Sequence, residues 1–124
     1  MERFLLLIRE DVQKLRQSME THKVRMLQMT KWVEGLSESG SYTGGDPLVT
    51  NGRYVSKDNV LSDGPFIEAK ECISGYIAIK AENLEQAVSF AQTCPFVLDG
   101  SMAIEVREIM IPFTPDDITE PVTK

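Results

Sequence analysis

The sequence has few of the residues that form metal sites and disulfide frameworks, and it lacks a long apolar run. It contains two cysteines and one histidine among 124 residues, and Cys72 and Cys94 form no C-x-x-C motif. No apolar run approaches the roughly 18 residues that would span a bilayer. We therefore expect buried, reduced thiols, no metal or other cofactor, and no membrane as a partner.

An excess of positive charge is also lacking. The chain has 13 lysines and arginines against 19 aspartates and glutamates, which gives a formal net charge of -6. The basic residues are scattered and form no stripe, so we expect no nucleic-acid partner. The apolar run near the start, Phe4–Ile8, is short and no small-residue cleavage site follows it, which argues against a signal peptide. We expect a cytoplasmic protein.

Hydrophobic periodicity predicts three strands. The segments Phe4–Ile8 and Cys72–Lys80 are apolar at successive positions, which is typical of strands that are covered on both faces. The segment Met102–Ile111 places Met102, Ile104 and Val106 on one face. Each of these strands needs a packing layer.

A long helix is predicted between the first two strands. Over residues 11–39, apolar side chains recur at steps of three and four residues, which places them on one face. Asp11 and Ser18 are alternative N-caps, and Gly40 is the predicted stop. His22 lies on the same stripe, where we interpret it as a residue at the edge of the core.

Two further local signals complete the series of elements. Asn51–Gly52, between Leu48–Thr50 and Arg53–Val55, is typical of a two-residue hairpin turn. Asn83 can cap a second helix, with Gln86 reaching back toward it. The chain thus follows a βαββαβ plan with an inserted hairpin, an α+β class of fold.

This plan leaves one face of the predicted sheet uncovered. Right-handed crossovers put both helices on the same face, yet two of the strands carry apolar side chains on both of their faces. A second copy of the sheet would cover the open face, so we expect a homodimer. The predicted domain spans residues 1–111, and residues 112–124 are predicted to form a C-terminal tail or arm.

The segment Ser62–Phe66 has the composition of a rigid corner. Asp63 can accept a hydrogen bond from the backbone two residues on, Gly64 tolerates positive φ, and Pro65 fixes the next φ. Phe66 can fill an apolar pocket. One interpretation is that the corner only redirects the chain between strands, and the other is that Asp63 makes a polar contact in a binding site.

These residues carry a resemblance to a known family. The segment Asp63–Glu71 followed by Gly75–Tyr76 resembles the signature of YCII-related proteins of the DGPF type. The resemblance covers roughly residues 3–110 and includes Trp32–Leu36, Cys94–Pro95 and Val106–Arg107. It implies ferredoxin-like protomers that form a dimeric α+β barrel. It also implies a cleft bordered by the long helix, the DGPF corner and the end of the second helix.

The resemblance further implies an acid/base pair that this chain does not keep. In related proteins a histidine on the long helix and an aspartate before a proline are proposed to act together. Those positions correspond to Met29 and Cys94. A thioether takes no proton at neutral pH, and an ordinary thiol is a poor substitute for a carboxylate.

Three functions therefore remain open. The first is a small-molecule-binding or accessory domain without a defined reaction, and the second is an enzyme that uses Asp63, Tyr76 or Cys94. The third, implied by the resemblance, is a regulatory contact with a sigma factor. Arg107 is a further polar candidate for the cleft. The candidate ligand-binding residues are Met29, Trp32, Asp63, Phe66, Lys70, Tyr76 and Cys94.

Overall fold

A computed structural model describes residues 1–11, 19–49, 52–61 and 71–111. Within these ranges a four-stranded antiparallel sheet carries the helices, and a small two-stranded hairpin is separate from it. The predicted tail, residues 112–124, lies outside the described ranges, as does the corner Ser62–Phe66. The elements are β1 (Glu2–Asp11), α1 (Met19–Glu38), β2 (Tyr42–Pro47), β3 (Tyr54–Val55), β4 (Val60–Leu61), β5 (Glu71–Ala81), α2 (Leu84–Gln92), α3 (Pro95–Leu98) and β6 (Met102–Glu108).

The main sheet has the strand order β2-β5-β1-β6. Each neighbouring pair is antiparallel, and β1 lies at the centre between β5 and β6. With α1 between β1 and β2, and α2 between β5 and β6, this is the ferredoxin-like arrangement. The predicted α+β fold class is confirmed. No helix among the described residues is long and apolar enough to cross a bilayer.

The first strand is longer than predicted. It continues through Glu10, which pairs with Cys72, to Asp11, which pairs with Glu71. Residues 12–18 lie outside the described ranges, so the role of Asp11 as a helix N-cap stays a prediction. The alternative cap, Ser18, lies outside the described residues.

The C-terminus of α1 confirms the predicted stop at Gly40. Gly40 has a φ of 80°, and its N–H donates to the Ser37 carbonyl oxygen at 3.0 Å. The Ser41 N–H donates to the Leu36 carbonyl oxygen, also at 3.0 Å. These two bonds form a Schellman motif, which requires the left-handed conformation that glycine adopts at no steric cost.

The inserted hairpin exists, but its turn was predicted too early. Tyr54 pairs with Leu61 and Val55 with Val60, and the turn is closed by the Ser56 N–H donating to the Asn59 carbonyl oxygen at 2.8 Å. Leu48 does not pair with Arg53–Val55, because its N–H donates to the Ser74 carbonyl oxygen at 2.8 Å. Leu48 therefore lies beside β5, whereas Asn51 of the predicted turn lies outside the described residues.

The second helix begins as predicted. The Asn83 side chain accepts from the Gln86 N–H at 2.8 Å, and the Gln86 side chain accepts from the Glu82 N–H at 2.7 Å. After Gln92 the chain passes through Cys94 into the short helix α3, which was not predicted. Pro95 stands at the start of α3, where its missing N–H costs nothing.

The core lies between the sheet and the helices. Alternate residues of β1 and β5 face it, so that every second side chain is buried. Met29, Trp32 and Val33 of α1 pack against this cluster. On β6, Met102, Ile104 and Val106 do the same, as predicted. The buried members are Phe4, Leu6, Ile8, Leu36, Ile77, Ile79, Ala81 and Ala87.

The opposite face of the sheet carries the side chains that alternate with the buried ones. Leu5 and Leu7 of β1 alternate with the buried residues and are partly exposed. Across the sheet, Leu7 pairs with Tyr76 and Glu105. An ion pair also lies on this face, with Arg9 Nη1 3.3 Å from Glu105 Oε1. This face therefore combines leucines with charged groups.

Gly45 in β2 is required by the close approach of β5. A Cβ atom built there would lie 2.5 Å from the Tyr76 carbonyl oxygen and 2.9 Å from the Ile77 Cα. Both atoms belong to backbone, so they cannot move aside cheaply. We expect Gly45→Ala to reduce the free energy of unfolding by about 1–3 kcal/mol in urea denaturation.

The matched control is Gly35→Ala in α1, where nothing lies within 4 Å of the added Cβ. That change should raise the free energy of unfolding by about 0.5–1 kcal/mol, because alanine favours a helix more than glycine does. Equal effects of the two substitutions would contradict the packing of β2 against β5.

Candidate functional site

A cleft lies between α1 and the sheet. Its volume is about 230 Å³, and we call it the α1 cleft. Strands β1, β2, β5 and β6 all contribute to its wall. The lining residues are Ile8, Glu10, Met26, Met29, Thr30, Val33, Tyr42, Gly45, Asp46, Pro47, Ser74, Gly75, Tyr76, Ile77 and Met102.

The wall of the cleft is mainly apolar and rich in thioethers. Met26 and Met29 come from α1, and Met102 comes from the start of β6. Methionine side chains are unbranched and polarizable, so they adapt to the shape of an apolar guest. An apolar concave wall with few polar groups is typical of small-molecule sites.

A buried ion pair closes one side of the cleft. Glu10 lies on the helix-facing parity of β1 and lines the cleft. Its Oε1 is 2.8 Å from Arg25 Nη2, and the two side chains are 6% and 15% exposed. The Arg25 guanidinium also lies 4.8 Å from the centre of the Phe96 ring, a cation–π contact. Because both side chains are largely buried, each charge of the pair compensates the other.

Met29 and Cys94, which the resemblance predicts to correspond to the proposed acid/base pair, are neighbours in space. The Cys94 Sγ is 3.9 Å from the Met29 Sδ. Cys94 is fully buried behind Met29, and burial is the main reason why the pKa of its thiol is raised. The arrangement thus holds a protonated thiol against a thioether, which cannot exchange a proton.

Tyr76 borders the cleft, but its ring belongs to the other face of the sheet. It alternates along β5 with the buried Ile77, and it pairs directly with Asp46 of β2. The Tyr76 hydroxyl donates to Asp46 Oδ2 at 3.0 Å. This hydrogen bond to Asp46 is the main cause of the raised pKa of Tyr76, so the phenol holds its proton and is unsuited to act as a base.

Trp32 lies beside the cleft without lining it. Its indole Nε1 donates to Thr93 Oγ1 at 2.8 Å, which connects α1 to the end of α2. Its ring packs against the core. Arg107 does not line the cleft either; it faces solvent, and its Nη1 lies 3.2 Å from Glu105 Oε2. A role of Trp32 in binding stays a prediction.

The remaining candidates cannot be placed in this geometry. Asp63, Phe66 and Lys70 lie outside the described residues, and so does the side chain of His22. Within the described ranges, no three side chains of histidine, cysteine, aspartate or glutamate are grouped as a metal site would need.

Sequence reasoning missed Glu10 as a residue of the site. The signal was present, since Glu10 continues the series of alternate residues Phe4, Leu6 and Ile8, which all face the core. An acidic residue on the core-facing side of a strand indicates a buried partner. That partner, Arg25, lies in the next element, so the sequence of the strand did not identify it.

Comparison with known proteins gives a family and a related fold. The sequence matches the YCII-related domain over residues 3–113. No curated protein matches the chain significantly. A similar solved structure is 5-chloro-2-hydroxyhydroquinone dehydrochlorinase from Burkholderia phenoliruptrix, in complex with 2,5-dihydroxybenzoquinone. The TM-score is 0.53 at 16% identity, over 87% of this chain and 93% of the other. This likeness shows a shared fold.

The burial of Cys94 predicts an unreactive thiol. In a Cys72→Ser variant, which retains a single thiol, we expect iodoacetamide at pH 8 to modify the folded protein at least about tenfold more slowly than the urea-unfolded protein. Mass spectrometry of timed samples measures both rates. Alkylation of the folded protein at the unfolded rate would show an accessible thiolate and restore Cys94 as a nucleophile.

Proposed function

Because the chain belongs to the YCII-related family, we propose that it is a small-molecule-binding or accessory domain whose α1 cleft holds one compact molecule. The observation that carries this proposal is an apolar cleft of about 230 Å³ between α1 and the sheet. The proposed binding does not depend on the histidine–aspartate pair of related proteins, whose positions are Met29 and Cys94.

The size of the cleft restricts the ligand. An apolar cavity of about 150 Å³ is enough to bind benzene, so a cleft of about 230 Å³ suits one ring with a few substituents. Removal of such a ring from water onto the thioether and aliphatic wall supplies the driving force. The dehydrochlorinase of similar fold was solved with a single-ring molecule, which supports a ligand of this size.

An enzyme is the second candidate, and the observation that favours it is the activity of that dehydrochlorinase. Cys94 is a weak choice for its chemistry because the thiol is buried and its pKa is raised. The Tyr76 ring, by its parity in β5, faces away from the core. Asp63 remains the sequence-based candidate. A contact with a sigma factor also stays a prediction, since no described surface identifies such a partner.

We also propose that the chain forms a homodimer through the face of the sheet that carries Leu5 and Leu7. These leucines lie in the central strand, opposite the face that the helices cover. The ion pair between Arg9 and Glu105 lies on the same face, where a two-fold partner would shield it from solvent. One protomer has a layer of helices and a sheet, and an identical sheet from the partner would cover the open face of that sheet.

Filling the cleft tests the proposed binding site. Thr30 lines the cleft on an otherwise exposed part of α1, so Thr30→Phe should occupy the cleft without disturbing the core. We expect at least a tenfold loss of affinity for small phenols, measured by methionine-methyl NMR titration, because roughly 1.4 kcal/mol of lost contact gives that factor.

The matched control is Gln28→Phe, which adds the same ring at an exposed position of α1 that does not line the cleft. Its affinity should equal that of the unmodified protein. Undiminished binding to Thr30→Phe would place the ligand elsewhere and contradict the proposal.

The dimer is tested by light scattering after size exclusion. We expect a particle of twice 13.9 kDa at micromolar concentration, and a shift to one chain in Leu5→Lys, because that lysine would be buried opposite Arg107, the residue paired with Leu5 in β6. Leu27→Lys, on the exposed surface of α1, should remain a dimer. A 13.9 kDa particle from the unmodified protein would refute the proposed dimer.

A further inference from the structure

We propose that the α1 cleft selects a neutral molecule that donates a hydrogen bond, such as a phenol, with Glu10 as the acceptor. This inference rests on the proposed function and specifies its ligand class. The observation behind it is the kind of polar groups that the described part of the cleft offers. Those groups accept hydrogen bonds, and none of them carries a positive charge.

Glu10 is the charged group in the most buried part of the cleft wall. Its Oε1 accepts from Arg25 Nη2 at 2.8 Å, and the side chain is 6% exposed. A carboxylate has about four acceptor positions on its two oxygens, so one bond from Arg25 leaves capacity for a second donor. A hydroxyl group of a ligand would complete the environment of this buried carboxylate.

The hydroxyl groups in the cleft wall reinforce this preference. Thr30 Oγ1 donates its proton to the Met26 carbonyl oxygen at 2.8 Å, and the Tyr42 hydroxyl donates to the Gly45 carbonyl oxygen at 3.4 Å. Each is left with lone pairs to offer a ligand. Ser74 can donate or accept. The described wall therefore holds more acceptors than donors.

The described lining of the cleft is unsuited to an ionised ligand of either sign. Among the described lining residues there is no lysine, arginine or histidine, so a carboxylate would lose its hydration without gaining a counter-ion. Arg25 does not line the cleft and is engaged with Glu10 and Phe96. A cation gains little, because Arg25 already balances the charge of Glu10. The second carboxylate of the lining, Asp46, is exposed to solvent and accepts from the Tyr76 hydroxyl, so its attraction for a cation is screened by water.

Four probes with the same methylated ring test this selectivity at pH 7. They are para-cresol, para-xylene, para-toluate and para-methylbenzylammonium, and methionine-methyl NMR gives each dissociation constant. We expect para-cresol to bind roughly tenfold tighter than para-xylene, since a hydrogen bond to a charged group gives at least that factor. The two ions should bind more weakly than para-cresol.

A variant identifies Glu10 as the acceptor. Glu10→Gln should reduce the preference for para-cresol over para-xylene to about threefold or less, because a neutral amide accepts a weaker bond. Asp58→Asn removes the same charge at an exposed site in the β3–β4 turn, outside the cleft, and should leave the tenfold ratio unchanged. Should Glu10→Gln fail to fold, the ratio among the four probes on the unmodified protein still decides the ligand class.

The outcomes separate this inference from the proposed function. Binding of para-xylene or either ion as tightly as para-cresol would overturn the selectivity while leaving the cleft as a binding site. An unchanged ratio in a folded Glu10→Gln variant would overturn the role of Glu10. Failure of all four probes to bind would overturn the proposed function, and the inference with it.

Discussion

The antiparallel pairing of β1 with β5 is the constraint on which the structure depends. Ten residues of β1, from Glu2 to Asp11, pair with β5, with one register shift between Ile8 and Arg9. Between Glu2 and Ile8, alternation along both strands decides which side chains meet the helices. Ile8 and Ile77 face the helices, while Leu7 and Tyr76 face the other way. A shift of one residue would exchange the two faces. The cleft and the open face thus follow from one register.

Met29 and Cys94 are in contact, with their sulfur atoms 3.9 Å apart. The sequence resemblance predicts that they stand where related proteins are proposed to carry an acid/base pair. With a thioether and a buried thiol, this contact contributes packing instead of proton transfer. The charge close to the cleft has a different origin, because Glu10 and Arg25 supply it from β1 and α1. A binding function is consistent with this arrangement of side chains.

Local signals in the sequence predicted the fold well. The helix stop at Gly40 and the cap at Asn83 depend on neighbours within a few residues, and both were correct. Asn51–Gly52 had an equally good local signal, but the hairpin forms later in the chain. Pairing with β5 overrides the local preference there, since the Leu48 N–H bonds to Ser74, far along the chain. A short stretch of sequence does not show which distant strand will compete with a local turn signal.

The site was predicted only in part for the same reason. Family resemblance pointed to Met29 and Cys94, which are indeed in contact, but parity in β5 puts the Tyr76 ring on the opposite face. The contact between Glu10 and Arg25 joins two elements and has no signature in either. A crystal structure grown with para-cresol would show whether the α1 cleft binds a compact molecule. We expect density for one ring between Met29 and Met102, with its hydroxyl near Glu10. Density for the ring at another surface, with the cleft filled by its own side chains, would contradict it.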